Sequence, residues 1–103
     1  MAAFRFSHRA ETDLLDIGTH TLRTWGEAQA VRYLDELEAC CQMLVRNPAM
    51  GRACDYIRPG LRRMEIGSHV IFYRRKSTDI VIIRILHQGM LPEKHALDDE
   101  DDR

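Results

Sequence analysis

The chain has 103 residues, 45% hydrophobic and 30% charged, the size and composition of one small globular domain rather than of a disordered or two-domain chain. Its formal net charge is −1, but Asp98, Asp99, Glu100, Asp101, Asp102 and Arg103 hold five of the acids and one base, so residues 1–97 carry +3 and the total hides a basic body. No apolar stretch approaches membrane-spanning length, and Met1 to Arg9 is too short and polar for a signal peptide, so neither a membrane-spanning helix nor a leader is expected and the protein is expected to stay in the cytoplasm.

Ala3 to Phe6 alternates apolar and polar residues and stops at Ser7, a good N-cap, so a short strand is predicted to feed directly into a helix. From His8 to about Arg23, the residues Ala10, Leu14, Ile17, Thr21 and Trp25 recur at helical spacing and form one stripe. Gly26 interrupts that pattern. A second stripe, Ala30, Leu34, Leu37, Cys41 and Leu44, follows between Glu27 and Arg46. With a residue or two between them, the two helices must fold back as an antiparallel hairpin. Asn47-Pro48 ends the second helix, because a residue before proline is pushed out of the helical region. A loop is predicted from there to Pro59-Gly60, with Gly51 as a turn residue.

Beyond Gly60 the period changes. Leu61–Ile66, Ser68–Lys76 and Asp79–His87 are rich in β-branched and aromatic residues and read as three consecutive antiparallel strands. The run Ile80 to Leu86 is broken only by Arg84, which suits a strand covered on both faces, and it is assigned to the centre of the sheet. Pro92 to Leu97 is read as one helical turn, and the acidic tail 98–103 as too polar to order itself. The predicted fold is therefore α+β in the order β-α-α-β-β-β, a helical hairpin packed on a small, mostly antiparallel sheet, with one domain over residues 1–97.

Cys40, Cys41 and Cys54 are odd in number and form no disulfide framework, so they read as reduced packing residues. No C-x-x-C or H-E-x-x-H occurs, and the five histidines His8, His20, His69, His87 and His95 lack metal-site spacing, so neither a metal nor another cofactor is expected. Arg58, Arg62, Arg63, Arg74, Arg75 and Lys76 face a single acid, Glu65, within one segment. Such a patch favours an acidic or phosphate-bearing partner, although strand surfaces often carry bases without one.

Alternation puts Arg62, Met64 and Ile66 on one face and Leu61, Arg63 and Glu65 on the other. On the last strand it puts Arg84 with Ile82 and Leu86, and His87 with Val81, Ile83 and Ile85, so Arg84 and His87 are expected to face apart. An arginine in so apolar a run must be paired or reach solvent, since a lone buried charge is costly. Arg63, Glu65, Arg84 and His87 could form a metal-free ribonuclease site, the glutamate as base, the histidine as acid and the arginines on phosphate. The plainer reading pairs Glu65 with a cross-strand arginine and lets His87 end its strand through hydrogen bonds.

Several segments, in this order, resemble the ParE branch of the ParE/RelE toxins of type II toxin-antitoxin systems. They are Ser7-His8-Arg9-Ala10-Glu11-Thr12-Asp13-Leu14, Trp25-Gly26, Ala30 with Tyr33-Leu34, Asn47-Pro48-Ala49-Met50-Gly51-Arg52, Gly60-Leu61-Arg62-Arg63, Ser68 to Arg74, and Ile83-Arg84-Ile85-Leu86-His87. The resemblance spans about Phe4 to His95 and implies the α+β fold already read from periodicity. It implies a ParD-like antitoxin with a ribbon-helix-helix half, which wraps the toxin in a hetero-oligomer. The groove beside the helices and the basic strands is the implied wrapping site, with Leu14, Trp25, Leu37, Arg62, Arg63 and Tyr73 near it. It further implies DNA gyrase as the target, with no sequence-specific DNA binding by the toxin itself. A messenger-cutting ribonuclease of the RelE kind and a degenerate, non-toxic antitoxin-binding module are the alternatives, and Gly89 to Lys94 lacks the terminal tyrosine of many RelE-type nucleases.

Overall fold

The structure, a computed structural model, describes residues 2–89. The predicted helical turn over Pro92 to Leu97 and the acidic tail lie outside them. Strand β1 (Phe4–Phe6) runs into helix α1 (His8–Trp25), which is followed by α2 (Glu27–Arg46), a single 3-10 turn (Pro48–Met50), and strands β2 (Arg52–Ala53), β3 (Arg62–Ile66), β4 (His69–Lys76) and β5 (Asp79–His87). Ser7 caps α1 as expected: its hydroxyl accepts from the Ala10 N–H at 3.1 Å and donates to the Ile83 carbonyl at 2.7 Å. One side chain thus starts the helix and ties it to the sheet. Helix α1 runs on to Trp25, and Gly26 alone, at φ 93°, makes the reversal into α2.

The sheet has the order β1-β5-β4-β3-β2. Its last four strands are antiparallel, and β1 pairs parallel to β5, with Phe4, Arg5 and Phe6 opposite Ile80, Val81 and Ile82. The middle strand is accordingly β4, and β5 lies between it and β1, which corrects the placement of Ile80 to Leu86 at the centre. Burial of that run on both faces is as predicted. Strand β2 falls inside the segment read as loop; two residues are too few to leave a periodic signal.

Both helices cover one face. Ala10 and Ile17 of α1 and Leu37, Cys40, Cys41 and Leu44 of α2 pack on Ile71, Tyr73, Ile80, Ile82 and Ile85. Side chains this deeply buried contribute about 1.5–3 kcal/mol each. The opposite face carries a second cluster of Cys54, Leu61, Val70, Phe72, Val81, Ile83 and Leu86, with Ile57 of the β2-β3 connection against it. The three cysteines are free and buried, and burial pushes the Cys41 thiol up to about 12, so they are packing residues.

Tyr73 fixes the segment after α2. It is fully buried, and its hydroxyl donates to the Pro48 carbonyl at 2.7 Å and accepts from the Gly51 N–H at 2.9 Å. A Cβ on Gly51 would lie 2.4 Å from that oxygen. No helix among the described residues is long and apolar enough to cross a membrane.

Candidate partner-binding surfaces

A groove opens beside the short strand β1, between α1 and α2. Phe4 and Phe6 of β1, Leu14 and Leu15 of α1, Leu34, Leu37, Glu38 and Cys41 of α2 and Ile85 of β5 line this groove of about 350 Å³. Leu14, Leu34, Leu37 and Cys41 come from the two predicted helical stripes, because a stripe wider than the sheet contact leaves its margin uncovered, whereas Leu15 and Glu38 lie outside them. Leu37, only 1% exposed, lies at the floor, Leu14 is half-buried, and Leu15 is 72% exposed. Trp25, the last residue of α1, stands at the hairpin tip with 71% of its surface in solvent rather than closing the stripe.

The arginines of β2 and β3 are engaged with the fold. Arg62 donates to the Gly51 carbonyl at 2.6 Å and clamps the same turn that Tyr73 holds. Arg63 lies over the Phe72 ring, 5.6 Å from its centroid, and donates to Glu65 at 2.9 Å, while Arg52 reaches Glu65 at 2.7 Å from the cross-strand side. Burial works against the charge of Glu65, but the hydrogen bonds from Arg52 and Arg63 outweigh it and hold the carboxyl below its usual range. Of the six residues read as lying near a partner, Leu14 and Leu37 line the groove, Trp25 is exposed at the tip, and Arg62 and Arg63 edge the sheet. Tyr73 has no accessible surface and acts through the turn it fixes.

The four residues of the ribonuclease reading fall into two pairs. Arg63 and Glu65 bind each other on β3, whereas Arg84 and His87 line a cleft of about 410 Å³ with Asp13, Asp16, Ile17, His20, His69, Ile85 and Leu86. Arg84 and His87 leave β5 on opposite faces, as expected, Arg84 opposite Phe72 of the far-face cluster and His87 opposite His69, and both border the cleft because the Arg84 guanidinium reaches Asp13 of α1. A bulge resets the alternation: Phe72 is opposite Arg84 and Tyr73 opposite Ile82, so Ile83 is extra. Beyond it Ile85 joins the helix-side cluster of Ile80 and Ile82, and Leu86 joins Val81 and Ile83, reversing the predicted faces.

Arg84 is held by Asp13, which accepts from Nε at 2.9 Å and from Nη2 at 3.0 Å and also takes the Ile85 N–H at 2.9 Å. In the same cleft His69 and His87 sit opposite one another on β4 and β5 with ring centroids 5.7 Å apart. The Tyr33 hydroxyl of α2 lies 2.6 Å from His69 Nδ1. Burial first, and then the neighbouring His87 and His20, lower the proton affinity of His69. No group of three metal-binding side chains occurs among the described residues. Asp13, Tyr33 and His69 were missed in the sequence because the contacts that gather them are remote, 71 positions from Asp13 to Arg84 and 36 from Tyr33 to His69; the one local signal was Asp13, Asp16 and His20 on a single face of α1.

Residues 4–92 match the family described as the ParE toxin of the type II toxin-antitoxin system parDE. The chain is 43% identical over 95 residues to Toxin ParE1 of Caulobacter vibrioides, covering 92% of this chain and 98% of the relative. It is 41% identical over 88 residues to Toxin ParE1 of Mycobacterium tuberculosis, covering 84% and 90%. A solved chain of the chromosomal ParDE system of P. aeruginosa superposes with a TM-score of 0.71 at 25% identity, over 84% of this chain and 96% of that one.

Proposed function

Because the chain belongs to the ParE toxin family of type II toxin-antitoxin systems, we propose that it arrests growth by binding DNA gyrase and trapping it on cleaved DNA, and that a ParD-like ribbon-helix-helix antitoxin silences it. The observation that favours an inhibitor over a ribonuclease is the engagement of the charged groups: Arg84 is bound by Asp13, and Glu65 by Arg52 and Arg63. A general base already neutralised by two guanidiniums is poorly placed to take a proton. Antitoxin binding is supported by the open groove between the helices, whose apolar walls suit an amphipathic segment.

The test is a gyrase supercoiling and cleavage assay with antitoxin-free protein, repeated after adding the antitoxin encoded beside it. Cleaved DNA should accumulate and the antitoxin should reverse it. Folded protein that stops growth, leaves gyrase untouched and cuts ribosome-bound messenger would replace this reading with the ribonuclease one. Expression of folded protein without any growth defect would point instead to a degenerate module.

A further inference from the structure

Two stripes of the hairpin have the same spacing and meet along its outer seam. In α1 they are Glu11, Leu15, Gly18 and Leu22; in α2, Glu27, Val31, Leu34 and Glu38. Steps of four, three and four keep each set on one helical face. The faces adjoin, since a Cβ on Gly18 would lie 3.4 Å from Leu34 Cδ1, and Leu15, Leu34 and Glu38 line one groove. The sheet cannot cover this seam, because it is already packed against Ala10, Ile17, Leu37, Cys41 and Leu44. Leu15, Leu22 and Val31 are therefore 72%, 50% and 54% exposed.

Aliphatic groups aligned in this way over about 17 Å, eleven residues at the helical rise, match three turns of a partner helix lying along the hairpin. Gly18 leaves a notch midway. Among the described residues the side chains on the seam itself are acidic where charged: Glu11, Glu27 and Glu38 lie on it and Asp35 beside it, all exposed, while Arg23 and Arg32 project about 100° round the helices from Leu22 and Val31, and His8 lies 3.6 Å from Glu11. Complementary charge governs which partner such a rim accepts.

We infer that the hairpin seam receives an amphipathic helix of the antitoxin whose aliphatic stripe is flanked by lysine or arginine, not by the acids that the basic strands alone would call for. The identity of the occupant rests on the antitoxin reading above; its charge rests on the seam.

Two synthetic three-turn peptides with one leucine stripe, flanked by lysine in the first and glutamate in the second, would be titrated into the full chain by calorimetry, with Trp25 fluorescence as a second signal. The lysine peptide should bind about tenfold tighter or more at low salt, and the difference should shrink as salt screens it. Glu38→Lys should abolish the preference, and Glu36→Lys, the same change off the seam, should keep it. Equal binding of the two peptides, or equal effects of the two substitutions, would overturn the inferred charge. The antitoxin should displace the lysine peptide. If it binds without displacing, the seam has another occupant although the antitoxin reading stands; if it does not bind the chain at all, both fall.

Discussion

Asp13 joins three parts of the molecule through one carboxylate. It projects from the second turn of α1, accepts from Nε and Nη2 along one edge of the Arg84 guanidinium, and takes the Ile85 N–H where β5 has run past the end of β1. The two side chains are only 12% and 18% exposed. Removing one partner of so enclosed a pair takes from the other charge its bidentate hydrogen bonds, so Asp13→Ala is expected to lower stability by about 3 kcal/mol. Glu65→Ala, at a carboxylate 38% exposed, should change it by no more than about 1 kcal/mol. Urea denaturation of both variants checks this, and a Glu65 variant as damaged as the Asp13 one would contradict it. His69 gives a dependence on pH. Its folded-state proton affinity is depressed, so the unfolded chain binds more protons in the window between the two values and stability rises with pH there. Acidification from neutral through about 6.5, the ordinary imidazole value, should therefore lower the denaturation midpoint. His69→Gln should flatten that slope, and a slope unchanged in the variant would assign the effect to other groups of the cleft.

At the scale of elements, local spacing was enough wherever a neighbour in sequence decides the conformation. Ser7, the hairpin at Gly26, both helical stripes and the exit at Asn47-Pro48 were all legible, and so were the three long strands. What escaped depends on strands meeting across the sheet. The parallel pairing of β1 leaves no trace in Phe4 to Phe6, and β2 exists because Arg52 and Ala53 lie opposite Arg63 and Arg62. The bulge at Ile83 is invisible in a run where every residue but one is apolar, yet it decides that Ile85 packs with Ile80 and Ile82 under the helices and Leu86 with Val81 and Ile83 on the other face. For the proposed partner surface, four stripe residues line the groove, but nothing local distinguished Tyr73, inside, from Leu15, outside. The β3-β4 turn offers a test of such packing. Gly67 has φ +55°, and a Cβ there would lie 2.6 Å from the Tyr33 ring. Gly67→Ala should cost more than about 1 kcal/mol, from backbone conformation and collision together. If the collision contributes, combining it with Tyr33→Ala should cost less than the sum of the two single changes. Strict additivity would leave backbone strain as the whole effect.

The described residues leave the outer face of the hairpin open. One sheet separates two small clusters, the helices cover only one of its faces, and the hairpin turns Leu15, Leu22 and Val31 outward. A chain of this size buries roughly two thirds of the surface its unfolded form exposes, so its margin of stability is thin and a ligand of the folded state shifts it visibly. An antitoxin that covers the groove and seam at a hundredfold excess over its Kd should add about 2.7 kcal/mol. For a domain near 100 residues that is a rise in Tm of about 10 °C or more. Leu22→Asp, exposed on the seam and remote from both buried clusters, should leave the Tm of the free chain nearly unchanged and remove most of the rise. The two measurements together separate a partner that recognises the folded hairpin from one that merely captures unfolded chain. In the second case the antitoxin would lower the apparent Tm, and Leu22→Asp would leave its effect intact.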